Sequence, residues 1–218
     1  MTNKELYSHI DYTLLKPTAT FFDFVALAEK AEKYGCASIC IPSSFVKVIR
    51  DEFPSLNICT VVGFPLGNST TETKMMEAIK AIIDGANEID MVINISNVLS
   101  NDWDAVIDEI NTIKKAIGNH ILKVIIETCY LEENEKYIIE LVEFINTETD
   151  VDYIKTSTGF GTRGATFRDI KLIKEGLEQS ATLVKAKIKA SGGIRTKEEM
   201  EKYIEMGCDR IGASVLPE

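Results

Sequence analysis

The chain is short of positive charge: 24 lysines and arginines stand against 34 aspartates and glutamates, for a formal net charge of -10. An acidic surface is a poor match for a phosphate backbone, so nucleic acid is not an expected partner. No apolar run is long enough to span a bilayer, and the polar opening Met1-Thr2-Asn3-Lys4-Glu5 is unlike a signal peptide. No membrane association is expected, and a cytoplasmic location is. Cysteine is sparse, and Cys36, Cys40, Cys59, Cys129 and Cys208 are odd in number with no CxxC spacing. Neither a disulfide framework nor a zinc site is indicated, and neither metal nor cofactor is expected. A linker rich in proline, glycine or serine is also missing, as is a GxGxxG fingerprint after the first strand.

What is present is a regular alternation. With 45% hydrophobic and 27% charged residues, 218 positions suffice for one large α/β domain or two small ones. Short β-branched runs are predicted at residues 11–15, 38–41, 57–62, 89–93, 121–126, 151–154, 183–190 and 210–213. Between them fall amphipathic stretches with their own start signals. Thr20-x-x-Asp23 opens a helix with Phe24, Leu27, Ala28 and Ala31 on its apolar face, ending at Gly35. Ser69-x-x-Glu72, Thr166-x-x-Asp169 and Thr196-x-x-Glu199 read as further capping boxes. The Ser69 helix would turn Met75, Met76, Ile79, Ile82 and Ile83 inward.

Eight βα-like units recurring every ~25 residues favour one closed parallel (β/α)8 barrel, a TIM barrel, spanning 1–218 as a single domain. A doubly wound open sheet is the alternative, and the missing phosphate fingerprint counts against it. The ending Val215-Leu216-Pro217-Glu218 leaves room for at most a very short eighth outer helix. A short N-terminal helix in residues 4–10, or a neighbouring subunit, is expected to cover that side.

Chemistry in such barrels sits at the carboxyl ends of the strands. There the stretch Asp152-Tyr153-Ile154-Lys155-Thr156-Ser157-Thr158-Gly159-Phe160 delivers a lysine from an apolar run. Burying an ammonium is costly, and a lysine in a drier site becomes a nucleophile toward carbonyls. Alone, such a lysine is more simply one that snorkels at a strand end. Lys189-Ala190-Ser191-Gly192-Gly193 repeats the pattern one strand later and shifts the balance. Asp11, Asp90 and Glu127 also lie within or just after apolar strands, supplying acids for proton transfer. Because Lys185, Lys187 and Lys189 alternate along one strand, Lys187 is expected one layer below Lys189, buried and paired with Glu127 or Asp11.

Gly192-Gly193 and Gly212-Ala213-Ser214 end the last two strands, where backbone N–H groups of barrels commonly hold a phosphate. Gly159 and its neighbouring hydroxyls extend that cradle. Glycines that merely permit tight turns explain any one of these positions about as well.

Together with Ile10-Asp11-Tyr12-Thr13-Leu14-Leu15-Lys16-Pro17, Val62-Gly63-Phe64-Pro65-Leu66-Gly67, Glu88-Ile89-Asp90-Met91-Val92-Ile93-Asn94 and Lys123-Val124-Ile125-Ile126-Glu127-Thr128, the two lysine stretches resemble the deoxyribose-phosphate aldolase family over nearly the whole chain. The resemblance implies a metal-free class I aldolase on a TIM barrel. Its reaction is the reversible cleavage of 2-deoxy-D-ribose 5-phosphate to acetaldehyde and D-glyceraldehyde 3-phosphate. It implies that Lys155 forms the Schiff base, that Lys189 perturbs it, and that Asp90 relays protons. Gly159, Gly192, Gly193, Gly212 and Ser214 match the family's phosphate region. Sugar phosphate and aldehydes are then the partners, with a homodimer or higher homo-oligomer expected. Ser214-Val215 departs from the two adjacent serines common in the family, and Cys40-Ile41-Pro42-Ser43 from a Cys-Val-Asn-Pro pattern. A non-catalytic sugar-phosphate sensor and a Schiff-base aldolase for a longer substrate are the competing readings.

Overall fold

Strands that are apolar at successive positions need cover on both faces, which a parallel sheet wrapped by helices provides. The computed structural model describes residues 1–131 and 135–217 and closes that sheet into a ring. Its strands are β1 (Ile10–Thr13), β2 (Ser38–Ile41), β3 (Ile58–Val62), β4 (Glu88–Val92), β5 (Ile121–Ile125), β6 (Tyr153–Lys155), β7 (Lys187–Ser191) and β8 (Arg210–Ala213). Each pairs in parallel with the next, and β8 returns to β1 with Gly212 opposite Asp11. The result is the expected (β/α)8 barrel.

Helix α1 (Asn3–Tyr7) precedes the barrel. The strands β1 to β7 are followed in turn by α2 (Phe21–Tyr34), α3 (Ser43–Glu52), α4 (Thr71–Ile83), the pair α5 (Ile95–Leu99) and α6 (Trp103–Ile117), α7 (Glu135–Glu148), α8 (Phe167–Gln179) and α9 (Lys197–Glu205). No helix among the described residues is long and apolar enough to cross a membrane. Local signals explain most of the boundaries. In α2 the buried residues are Phe24, Leu27, Ala28 and Ala31, and Gly35 closes the helix at φ 72°. Thr166 with Asp169 and Thr196 with Glu199 form reciprocal capping boxes at α8 and α9.

Three expectations fail. The cap of α4 is Thr70, whose hydroxyl accepts the Thr73 N–H at 3.3 Å, because a second good capping residue stands beside Ser69. That helix buries Lys74, Ala78 and Ala81 and leaves Met76 and Ile83 exposed. The apolar stripe loses to a buried ion pair, Lys74 Nζ to Glu109 Oε1 at 2.6 Å, joining α4 to α6. Residues 183–186 are not strand, and Leu183 is 99% exposed. The neighbouring strand begins only at Tyr153, opposite Lys187, so the earlier residues have no ladder to join.

Among the described residues no helix follows β8. On that side Tyr7 donates to the Pro217 carbonyl at 2.7 Å, Lys197 donates to Asn3 at 2.7 Å, and Leu6 is fully buried. Outside the ring, Ile39, Ile89, Val124, Ile154 and Ile211 join the continuous apolar core beneath the helices. Trimming any one of the isoleucines to alanine costs about 2–5 kcal/mol.

Candidate active site

Side chains alternate across a strand, so when Ile89, Val124, Ile154, Ile188 and Ile211 face outward their neighbours must fill the ring. Those neighbours are charged: Asp11, Glu88, Asp90, Lys123, Lys155, Lys189 and Arg210 are drawn together from β1, β4, β5, β6, β7 and β8. Charges removed from water must be satisfied by one another. Asp90 is the hub. Its Oδ1 receives Lys123 at 2.9 Å and the Cys59 thiol at 3.0 Å, while its Oδ2 receives Lys155 and Lys189, each at 2.7 Å. Lys189 also meets Asp11 Oδ2 at 2.5 Å, and Lys123 meets Glu88 Oε2 at 2.5 Å. Arg210 closes the network, bridging Asp11 and, at 3.2 Å, Glu88 Oε1.

Electrostatics follow from this geometry. Burial opposes ionisation of Asp90, yet the ammonium groups of Lys123, Lys155 and Lys189 overcome it and hold the carboxyl well below the usual carboxylate range. Asp11 is lowered in the same way by Lys189, Lys123 and Arg210 against the cost of burial. Burial also disfavours the charged form of Lys189, but Asp11 and Asp90 outweigh it and raise this lysine above its ordinary value. Lys123 is raised likewise, with burial opposed by Asp90, Cys59, Asp11 and Glu88. Among the described residues, four cations in the network therefore share three carboxylates. One cation has no carboxylate of its own.

Lys155 is the member that opens onto a cavity. It lines a space of about 250 Å³ with Gly159, Gly192, Gly193, Gly212 and Ser214, which places the whole predicted phosphate set beside it. The loop after β6 is held by Glu127, whose carboxylate accepts the Thr158 N–H at 3.2 Å and the Thr158 hydroxyl. Glu127 itself sits at φ 44°, a left-handed conformation unusual outside glycine. Gly192 is at φ 89°, and a Cβ there would come within 2.8 Å of Gly164 Cα. The loops after β6 and β7 thus touch through bare backbone, and Gly192 lines the cavity.

Lys187 departs from its expected place. It stays on the inward parity but stands exposed at the far end of the ring, its Nζ 5.6 Å from the centre of the Tyr153 ring and in no ion pair among the described residues. At the first position of β7 the barrel is open to water. The deep compensating lysine is Lys123, from β5, and Glu127 serves the loop instead of a lysine. Lys123, Glu88 and Arg210 escaped sequence reasoning, although each is an ionisable residue in a strand, the same signal that marks Asp90. Lys16 and Arg195 also line the cavity and bring cations to its rim. One trio among the described residues, Cys40, Cys59 and Asp90, is close enough to ligate a metal. Its Asp90 oxygens are already engaged by three ammonium groups, surroundings that repel a further cation.

A family model for DeoC/LacD family aldolases matches residues 8–214. The deoxyribose-phosphate aldolase of Clostridium botulinum (strain Alaska E43 / Type E3) is 51% identical over 215 residues, covering 98% of this chain and 94% of the relative. Among solved structures, QR15, an aldolase, superposes with a TM-score of 0.89 at 38% identity, covering 96% of this chain and 91% of that one. The deoxyribose phosphate aldolase of Aeropyrum pernix, described as a unique tetramer, gives 0.85 at 30% identity, with 98% and 88% covered. A closed barrel, a charged interior opening at one lysine, and these likenesses agree: the chain belongs to the DeoC/LacD family of aldolases.

Proposed function

We propose that this aldolase reversibly cleaves 2-deoxy-D-ribose 5-phosphate through a Schiff base on Lys155. The observation that carries the reading is the setting of that amine. Only 3% exposed, it faces the glycine-lined cavity while sharing Asp90 Oδ2 with Lys189. Four cations share three carboxylates, and Lys155 is the one among them that lines the cavity. The neutral amine adds to the C1 aldehyde of the open-chain sugar, and loss of water gives an iminium ion.

The C3 hydroxyl then gives up its proton, and the C2–C3 electron pair moves into a C1=C2 enamine. D-Glyceraldehyde 3-phosphate departs. Asp90, ionised and in contact with both amines, passes the proton that C2 takes up. Water hydrolyses the new iminium, restoring the amine and freeing acetaldehyde. Lys189, held protonated by Asp11 and Asp90 against the cost of burial, shares Asp90 Oδ2 with Lys155. The backbone of Gly159, Gly192, Gly193 and Gly212, with Ser214, takes the phosphate. A homo-oligomer belongs to the same proposal, supported by the tetrameric relative.

Reduction with borohydride in the presence of acetaldehyde, followed by peptide mapping, tests the assignment. A two-carbon adduct confined to Lys155 is expected; labelling spread over surface lysines would overturn it. A sensor would not trap at all. A Schiff-base aldolase with a longer substrate would also trap, and would be told apart by a substrate panel.

A further inference from the structure

The cavity beside Lys155 holds a hydroxyl that the mechanism does not use. Ser191 is 4% exposed, and its Oγ meets no hydrogen-bonding partner among the described residues. Its backbone is fixed on both sides. The Ser191 N–H donates to Thr156 Oγ1 at 3.1 Å, and the Ser191 carbonyl accepts from Ala165 N–H at 3.0 Å and from the Thr156 hydroxyl at 3.2 Å. Only the side chain is left without a bond. It lies one inward position above Lys189 and opposite Gly212, where any Cβ would collide with the hydroxyl. The absence of a side chain at Gly212 therefore makes room for the Ser191 hydroxyl.

A buried hydroxyl without a partner is destabilising, and one on a residue that lines a cavity is explained by a ligand that satisfies it. The other cavity hydroxyls are otherwise placed. Thr13 donates to the Asp11 carbonyl at 2.8 Å, Thr158 donates to Glu127, and Ser214 is exposed. Ser157 is also buried and unpartnered among the described residues, but it does not line this cavity.

Resting on the Schiff-base reading above, we propose that Ser191 donates a hydrogen bond to the C4 hydroxyl of the sugar phosphate. C1 is held at Lys155 and the phosphate at Gly192-Gly193, so the carbons between them pass the residue that directly precedes those glycines. C4 carries the hydroxyl next to the phosphorylated carbon. In the synthetic direction that group is the 2-hydroxyl of the acceptor aldehyde, which makes Ser191 a specificity-determining residue for 2-hydroxyaldehyde phosphates.

The test is Ser191→Ala, assayed for addition of acetaldehyde to D-glyceraldehyde 3-phosphate and to 3-oxopropyl phosphate, the same acceptor without its 2-hydroxyl. Expected is a loss of about tenfold in kcat/KM with the hydroxylated acceptor and a change of less than about twofold with the other. Acetaldehyde trapping on Lys155 should be unaltered, since a two-carbon donor carries no such hydroxyl, and the thermal midpoint should not fall. Ser191→Cys, close in volume but a weak donor, should show the same selective loss. Equal losses on both acceptors, or an unchanged preference in either folded variant, would overturn the assignment while leaving Lys155 in place. Failure of the unaltered protein to trap at Lys155 would remove the Schiff-base reading, and this inference with it.

Discussion

Lys155 and Lys189 hold the same oxygen: each Nζ lies 2.7 Å from Asp90 Oδ2, and Lys155 stands opposite Lys189 in the register of β6 and β7. Two ammonium groups on one acceptor repel each other, and Lys189 has a second carboxylate, Asp11, to secure its charge. Lys155 has Asp90 as its carboxylate partner among the described residues.

Lys189→Met should lower the retro-aldol kcat about a hundredfold in a folded protein, because it removes one of the two ammonium groups on Asp90 Oδ2 and takes from Asp11 its nearest lysine. Retro-aldol rates measured beside a thermal melt of the variant check this. Full activity in the folded variant would refute the role of Lys189.

Lys123→Met should destabilise the protein by about 3–5 kcal/mol, since it leaves Glu88 in the interior without its nearest cation and takes from Asp90 one of three ammonium partners. Pairing it with Glu88→Gln should recover part of the loss. Lys187→Met should cost less than about 1 kcal/mol, the range of an exposed cation–π contact. Urea unfolding of the three variants makes the comparison. Equal effects at Lys123 and Lys187 would mean that depth in the barrel does not set the cost.

Arg195→Ala should raise KM for 2-deoxyribose 5-phosphate about tenfold while leaving unphosphorylated 2-deoxyribose unchanged, because Arg195 lines the rim beside Gly192-Gly193. Parallel kinetics on the two sugars are the measurement. Equal effects would place the phosphate elsewhere.

The barrel was legible because parallel strands and capped helices leave local marks. Residues 38–41 and 210–213 were read as strands with the bounds of β2 and β8, and the Thr166 and Thr196 boxes mark α8 and α9. Lys155 and Lys189 stand out as lysines at the ends of apolar runs and Asp90 as an acid within one, and the structure draws the three within hydrogen-bonding distance. What stayed hidden was depth. Alternation along 185–189 gives the parity of Lys187 but not the level at which the ring opens to water. That level depends on the stagger between strands, which one strand's sequence does not contain. Lys123, opposite Asp90 in the register of β4 and β5, carries the same in-strand mark as Asp90, but its own strand does not show that three acids from other strands converge on it.

The charged filling of the ring also bears on heat. Hydration of ionic groups becomes less favourable as temperature rises, so the penalty for holding them indoors shrinks on warming, while the apolar jacket outside gains little further. Asp11, Glu88, Lys123 and Arg210, a burden at low temperature, become progressively less of one as the protein is warmed. The barrel's inner and outer layers thus respond to temperature in different ways, and Lys155 is mounted on the layer whose cost declines.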